Sequence, residues 1–309
     1  MQLNLEKVAF GRHETFPLRY SWLTKGFQAI KKDKNVFSSE DATVVLGVGR
    51  NMVNSIKYWL QATKIVKQRN KSSSELVPTE IGKSLFGRKG YDPYLEDEAT
   101  IWLLHWLIAT NAELSTAFYW FFSRFHKLEF TSQECSSALQ EFVKEHIKTK
   151  ASSTTLKNDI SVLLRMYAQS KITPKTPFED VLDSPLTELK LVTHFSGIRM
   201  YQSKQDNREG LPLGILGFAI TELFMHYGAN EIPIEDIMYG KNGLSAPGSV
   251  FRLSENALLT KLERLINYIP RVYEIRETSG IHQVYKLGAL DPIEYLEKHY
   301  KDYSKIAAA

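Results

Sequence analysis

Between Ala42 and Thr79 the apolar residues change their spacing within one short stretch, and that change limits the architectures open to the chain. A helical segment, Ala42–Leu46, stops at Gly47-Val48-Gly49, a turn tight enough to call for glycine. A second helix follows, with Met52, Val53, Ile56, Trp59, Leu60 and Thr63 on one face and Arg50, Asn54, Lys57, Tyr58 and Gln61 on the other. The spacing becomes strand-like in Ile65–Arg69, breaks at the polar tip Asn70–Ser74 and resumes in Leu76–Thr79. Two helices about a glycine turn, then a β-hairpin, is the order of a winged helix-turn-helix. Ser38-Ser39-Glu40-Asp41 offers N-cap candidates and first-turn acids for the first helix. Before it, Arg19–Lys31 carries Tyr20, Trp22, Leu23, Phe27 and Ile30 at helical spacing; after the hairpin, Thr79–Phe86 closes the module.

Charge gives this module a direction. From Gly47 to Lys71 stand six basic residues and no Asp or Glu, in a chain whose net charge is only +4. Phosphate neutralisation is what such a run does best. The DNA-binding candidates are therefore Arg50, Asn51, Asn54, Lys57, Tyr58, Lys67, Arg69 and Lys71. Lys and Arg would meet phosphates, the two Asn can pair with adenine edges, and Tyr58 would reach backbone or base. Against this stands a solvated amphipathic helix in a protein-binding module.

The rest of the chain reads as helical. Glu96 to about Lys148 is an aromatic-rich helical region (Trp102, Trp106, Phe118, Trp120, Phe121, Phe125), with no strand pattern and with Thr131 and Ser132 as cap candidates. Ser152 or Ser153 caps another helix, Leu156–Ala168, and the proline-spaced Thr173–Pro177 is the best internal connector. Farther on come helices Leu213–Tyr227, Glu235–Tyr239 and Ser254–Asn267, then a hairpin of Arg271–Arg276 and His282–Leu287 turning at Thr278-Ser279-Gly280. That order again suggests a winged helix, but Glu255, Glu263, Glu274 and Glu277 lie among its bases, so packing or protein contact competes with DNA. The fold expected is mainly α with small β-hairpins, divided into a winged module over residues 1–90, a central helical bundle over 91–172 and a C-terminal winged-helix-like part over 178–306. Ala307–Ala309 is set aside as a cloning remnant.

Composition excludes several chemistries. Cys135 is the single cysteine, so no intrachain disulfide and no Cys-based metal cluster can form. The start lacks the organisation of a signal peptide, and the apolar stretches are broken too early to span a membrane, so a cytoplasmic protein is expected. HExxH, CxxC and Walker sequences are absent, and Gly47-Val48-Gly49 is too short for a dinucleotide site. His105 and His126 sit in aromatic helices as core or half-exposed histidines rather than ligands. Asp159 and Asp97-Glu98 are isolated on helices. One short segment does combine an imidazole, a carboxylate and two guanidinium groups: His13, Glu14, Arg12 and Arg19. His13 with Glu14 could move and orient a proton, while Arg12 or Arg19 neutralises a phosphodiester in its transition state. The competing reading is a salt-bridge knot that ties the chain end to the winged module.

The phrases Phe10–Leu23 (FGRHETFPLRYSWL), Leu46–Val53 (LGVGRNMV), Ser55–Leu60 (SIKYWL), Ser245–Leu253 (SAPGSVFRL) and Glu277–Ile281 (ETSGI) resemble a bacterial family. It is that of the B component of single-strand DNA phosphorothioation systems, known as a domain of unknown function. The resemblance covers essentially the whole chain. It implies work alongside a cysteine desulfurase, an ATPase and a PAPS-reductase-like ATP pyrophosphatase, which together replace a non-bridging phosphate oxygen of DNA with sulfur in antiphage defence. For the B component it implies DNA binding and nicking, with a divalent metal ion as the candidate cofactor. It assigns no nicking residue, so Arg12, His13, Glu14 and Arg19 are carried only by lying in a matched phrase. A non-catalytic winged-helix regulator or adaptor is the alternative.

One consequence follows from periodicity alone. Trp59 shares its face with Met52, Ile56 and Leu60, so Trp59→Ala is expected to cost about 3 to 5 kcal/mol in chemical unfolding. An unchanged unfolding midpoint would place Trp59 on the outer face.

Overall fold

The computed structural model describes all residues except 149, 170–183, 196, 279–280 and 308–309. The described chain is mainly helical with small β elements, as the periodicities predict, and its strands form three antiparallel sheets, one more than the two expected hairpins. It packs as two compact units: a larger one of Asn4–Phe118 with Lys127–Ser203, and a smaller one of Met1–Leu3, Tyr119–His126 and Lys204–Ala309. Residue 90, an expected boundary, thus lies inside the larger unit, and the expected connector Thr173–Pro177 falls outside the described residues.

In the larger unit, α1 (Tyr20–Lys32) buries Trp22, Leu23, Phe27 and Ile30, the stripe its spacing predicts. A 3-10 turn, Val36–Ser38, replaces the expected serine cap, and Asp41 stands at the N-cap of α2 (Ala42–Leu46) without a side-chain capping bond. Gly47 ends α2 in the left-handed region at φ 60°, where a β-carbon would be strained. Gly49 then opens α3 (Arg50–Ala62), with Trp59 and Leu60 fully buried. The hairpin of β1 (Val66–Gln68) and β2 (Leu76–Pro78) pairs Val66 with Pro78 and Gln68 with Leu76. Thr79 caps α4 (Glu80–Phe86) by accepting from the Gly82 amide.

The helix α5 (Glu98–Ala109) is buried at every residue from Ala99 to Ala109, which is why its sequence lacks an amphipathic stripe. His105 is core, its Nδ1 lying 2.8 Å from the Tyr167 hydroxyl. Helix α6 (Thr116–Ser123) contributes Thr116–Phe118 to the larger unit and the remainder to the smaller. Thr131 and Glu134 form a reciprocal capping box on α7 (Ser132–His146), and Ser152 caps α8 (Ser153–Tyr167). One expectation fails: β3 (Glu129–Phe130) interrupts the helical region and pairs with β5 (Met200–Gln202), which also pairs with β4 (Thr193–Phe195). Two residues are too few to show a two-residue period, and their partner is remote in sequence.

In the smaller unit, α9 (Leu213–Tyr227), β6 (Glu231–Pro233), α10 (Ile234–Tyr239), α11 (Pro247–Val250), α12 (Glu255–Tyr268), β7 (Tyr273–Thr278), β8 (Ile281–Lys286) and α13 (Pro292–Ala307) follow in order. The strands form one sheet, β6-β8-β7. Ser279 and Gly280 of the expected turn lie outside the described residues. The buried Arg252 guanidinium donates to the carbonyls of Phe121 at 2.9 Å and Phe125 at 3.2 Å, fastening Tyr119–His126 to this unit. Burial, and secondarily Arg208, lowers its pKa to about 10. Helices α9 and α13 meet through glycine: a β-carbon on Gly217 would stand 2.3 Å from Cδ1 of the fully buried Tyr295.

Gly217→Ala therefore tests whether packing or propensity governs α9. Alanine gains about 1 kcal/mol in a helix, but overpacking a core costs about 1 to 3. Because the clash meets the root of a buried ring, a net loss read as a lower melting temperature is expected. A rise would show that α13 yields.

Candidate nucleic-acid interface

The N-terminal arm approaches α3 because a buried carboxylate holds it. Asp159 lies on the apolar stripe of α8 with Leu156, Ile160 and Leu163, and is 2% exposed. Its Oδ1 accepts from the Gly11 amide at 2.8 Å and lies 2.6 Å from Nε2 of His13. The Thr15 amide donates to His13 Nδ1 at 3.1 Å, so the ring carries its proton on Nε2 and gives it to Asp159. His13 is 2% exposed and lies parallel to Trp59, with ring centroids 6.2 Å apart. The Trp59 indole donates to the Phe16 carbonyl at 3.1 Å, closing the knot. Gly11, Glu14 and Thr15 bend the arm with φ of 70°, 50° and 64°.

This knot corrects the reading of His13 beside Glu14. His13 is buried with both ring nitrogens engaged, and its carboxylate partner is Asp159, which the sequence left isolated. A legible signal existed: a carboxylate on an apolar helical stripe needs a buried donor.

Arg12 and Glu14 instead turn outward. With His13 at its base and Asn54, Lys57, Tyr58 and Gln61 of α3, they line a cleft of about 760 Å³ that also takes in Thr155 and Asn158 of α8. Neither Arg12 nor Glu14 has a hydrogen bond or ion pair among the described residues, whereas Lys7 and Glu113, also lining the cleft, approach each other at 3.7 Å. The cleft thus presents free guanidinium, ammonium, amide and carboxylate groups.

Of the other candidates, Asn54, Lys57 and Tyr58 line this cleft and the rest lie away from it. Arg50, Asn51 and Asn54 are exposed on α3, and Lys57 is half-buried. Tyr58 is 8% exposed, contrary to its placement on the outer face, and donates its hydroxyl to the Leu114 carbonyl at 3.1 Å. Burial, and then the negative Asp159, pushes its phenol above the ordinary range. Lys67, Arg69 and Lys71 are exposed on the hairpin, but Arg69 pairs with Glu75 at 2.9 Å, just past the acid-free run. Arg19 is not brought to Arg12: its guanidinium lies 5.4 Å from the Trp22 ring centroid and borders a separate cleft at Gly47–Gly49.

The model of the family described as "Protein of unknown function (DUF4007)" matches residues 10–300. The chain belongs to the DUF4007 family. This DUF4007 protein is also similar in fold to a magnesium ion-bound SspB crystal structure, with a TM-score of 0.84 and 23% identity over 99% of this chain and 92% of that one. A second SspB crystal structure gives a TM-score of 0.82 and 24% identity over 99% of this chain and 91% of that one. No curated protein matches. Among the described residues of the DUF4007 chain, no three His, Cys, Asp or Glu side chains converge on a metal site, and no helix is long and apolar enough to cross a membrane.

The knot predicts the outcome of His13→Ala. Removing the ring leaves Asp159 buried with one donor fewer and a gap beside Trp59, costing about 3 kcal/mol. Thermal or urea unfolding should register that loss. Wild-type stability would mean that the arm is held by other contacts.

Proposed function

We propose that this DUF4007 protein is the DNA-binding subunit of a DNA phosphorothioation system and that α2, α3 and the β1-β2 hairpin work as its winged helix-turn-helix. One observation carries the reading: Arg12 of the arm and Asn54 and Lys57 of α3 line the same cleft, although they are far apart in sequence. Their chemistry suits a phosphodiester. Arg12 would fork onto phosphate oxygens, Lys57 would neutralise a neighbouring charge, and Asn54 would reach a base edge. Lys67 and Lys71 of the hairpin extend the basic surface. The family phrases and the SspB fold support the same setting, in which a cysteine desulfurase, an ATPase and a PAPS-reductase-like subunit are the partners.

Within that setting, nicking is assigned to the cleft. Arg12 would hold the charge developing on the attacked phosphate, and Glu14 would accept a proton from the nucleophile or bind a divalent ion. When bound, such an ion supplies Lewis-acid polarisation of the phosphate. A second reading, a non-catalytic adaptor, is favoured by the engagement of both His13 nitrogens.

Lys57→Ala with Lys67→Ala should weaken duplex binding and reduce the salt slope by about 0.9 per lost contact, about 1.8 for the pair. Unchanged affinity and slope in the folded variant would remove this surface from DNA. Supercoiled plasmid with magnesium separates the two readings: open circles that diminish at least about 100-fold in rate with Glu14→Gln support nicking in the cleft. Binding without open circles supports the adaptor.

A further inference from the structure

We infer that the smaller unit carries a phosphate-binding site of its own, in the cavity beside α12 formed by Lys261, Arg264, Asn256 and Thr260. The inference goes beyond the α3 cleft and rests on none of its residues.

The cavity measures about 590 Å³ and is completed by Asn207 and Glu209. Asn256, Thr260 and Arg264 recur every four residues along α12, making one outward row about 12 Å long at helical rise. Lys261 lies beside that row but is only 5% exposed. Its ammonium donates to the Leu211 carbonyl at 3.3 Å, and no carboxylate reaches ion-pair distance among the described residues. Two of its three protons therefore have no acceptor among the described residues. Arg264, three residues on and on the same side, is exposed and also has no partner among the described residues. Burial and the nearby Arg264 both lower the Lys261 pKa, while Glu209 opposes them.

A buried ammonium with one neutral protein acceptor carries a desolvation cost that an anion would relieve, and the exposed Arg264 guanidinium beside it adds a second positive donor. A phosphate group answers both needs. Its oxygens accept from the Lys261 ammonium and from the planar Arg264 fork, while the Asn256 amide and Thr260 hydroxyl can donate to those remaining. Among the described residues Glu209 is the one carboxylate lining the cavity; it is exposed and repels an anion. If Lys261 served only to satisfy the Leu211 carbonyl, neither Arg264 nor Glu209 would influence ligand binding.

Full-length protein is titrated with inorganic phosphate, with deoxyadenosine monophosphate and with a short DNA duplex. Saturable phosphate binding is expected, weakened about tenfold or more by Arg264→Gln, which removes a charge-assisted bond. Glu209→Gln is expected to tighten it several-fold. Both residues are exposed and make no hydrogen bond or ion pair among the described residues, so both variants keep the fold, and Lys261→Met, which preserves the buried stem, adds a third reading. If Arg264→Gln weakens inorganic phosphate and the mononucleotide but not the duplex, the site takes free phosphate groups. If it weakens the duplex as well, the site takes backbone phosphates. Absence of saturable binding to every probe, or wild-type affinities in both Arg264→Gln and Glu209→Gln, overturns the proposal.

Discussion

Asp159 sets the geometry on which the cleft depends. One carboxylate oxygen gathers the Gly11 amide and the His13 ring, while the other is buried with no hydrogen-bond partner among the described residues. Leaving that oxygen unmet is expensive, and the stacking of His13 against Trp59 offsets part of the cost. The bond reaches from α8 back to the start of the chain. Once Gly11, His13 and Thr15 are fixed, the intervening Arg12 and Glu14 have no room inside and must face the cleft. A stabilising contact thereby decides which charges face the cleft.

The smaller unit solves the complementary problem with a cation. Carbonyls in the last turn of α6 and just beyond it lose their helical partners, and Arg252 supplies donors to Phe121, Phe122 and Phe125. The guanidinium also lies over the Phe121 and Phe122 rings at 5.5 and 5.3 Å. In one unit a buried anion collects N–H groups; in the other a buried cation collects carbonyls. Each holds a segment that arrives from a distant part of the sequence. Lys261 differs from both, since its single carbonyl leaves donor capacity unused.

Much of the secondary structure was legible because its causes are local. Glycine at Gly47, the apolar face of Trp59 and Leu60, the Thr131 and Ser152 caps and the hairpin after α3 each depend on residues within a turn or two. Fidelity was lower where the local signal is short or ambiguous. β3 has two residues, and the stop before α2 uses a 3-10 turn instead of a serine cap. α13 begins at Pro292, an ordinary N-terminal signal that the sequence reading passed over.

What the sequence determined by itself was therefore the kind of most helices and of the two hairpins, the inward face of α3 and the basic character of the segment around it, because helical and strand periods and charge are properties of neighbouring residues. Tertiary structure alone decided which charged groups are available. It took His13 out of solvent by bringing it to Asp159, buried Tyr58 with its hydroxyl on the Leu114 carbonyl, paired Arg69 with Glu75, parted Arg19 from Arg12 and brought Arg12 and Lys57 to one cleft. Most of those outcomes couple residues that no local period relates, and the free energy of burying a polar group is fixed only when its partner arrives.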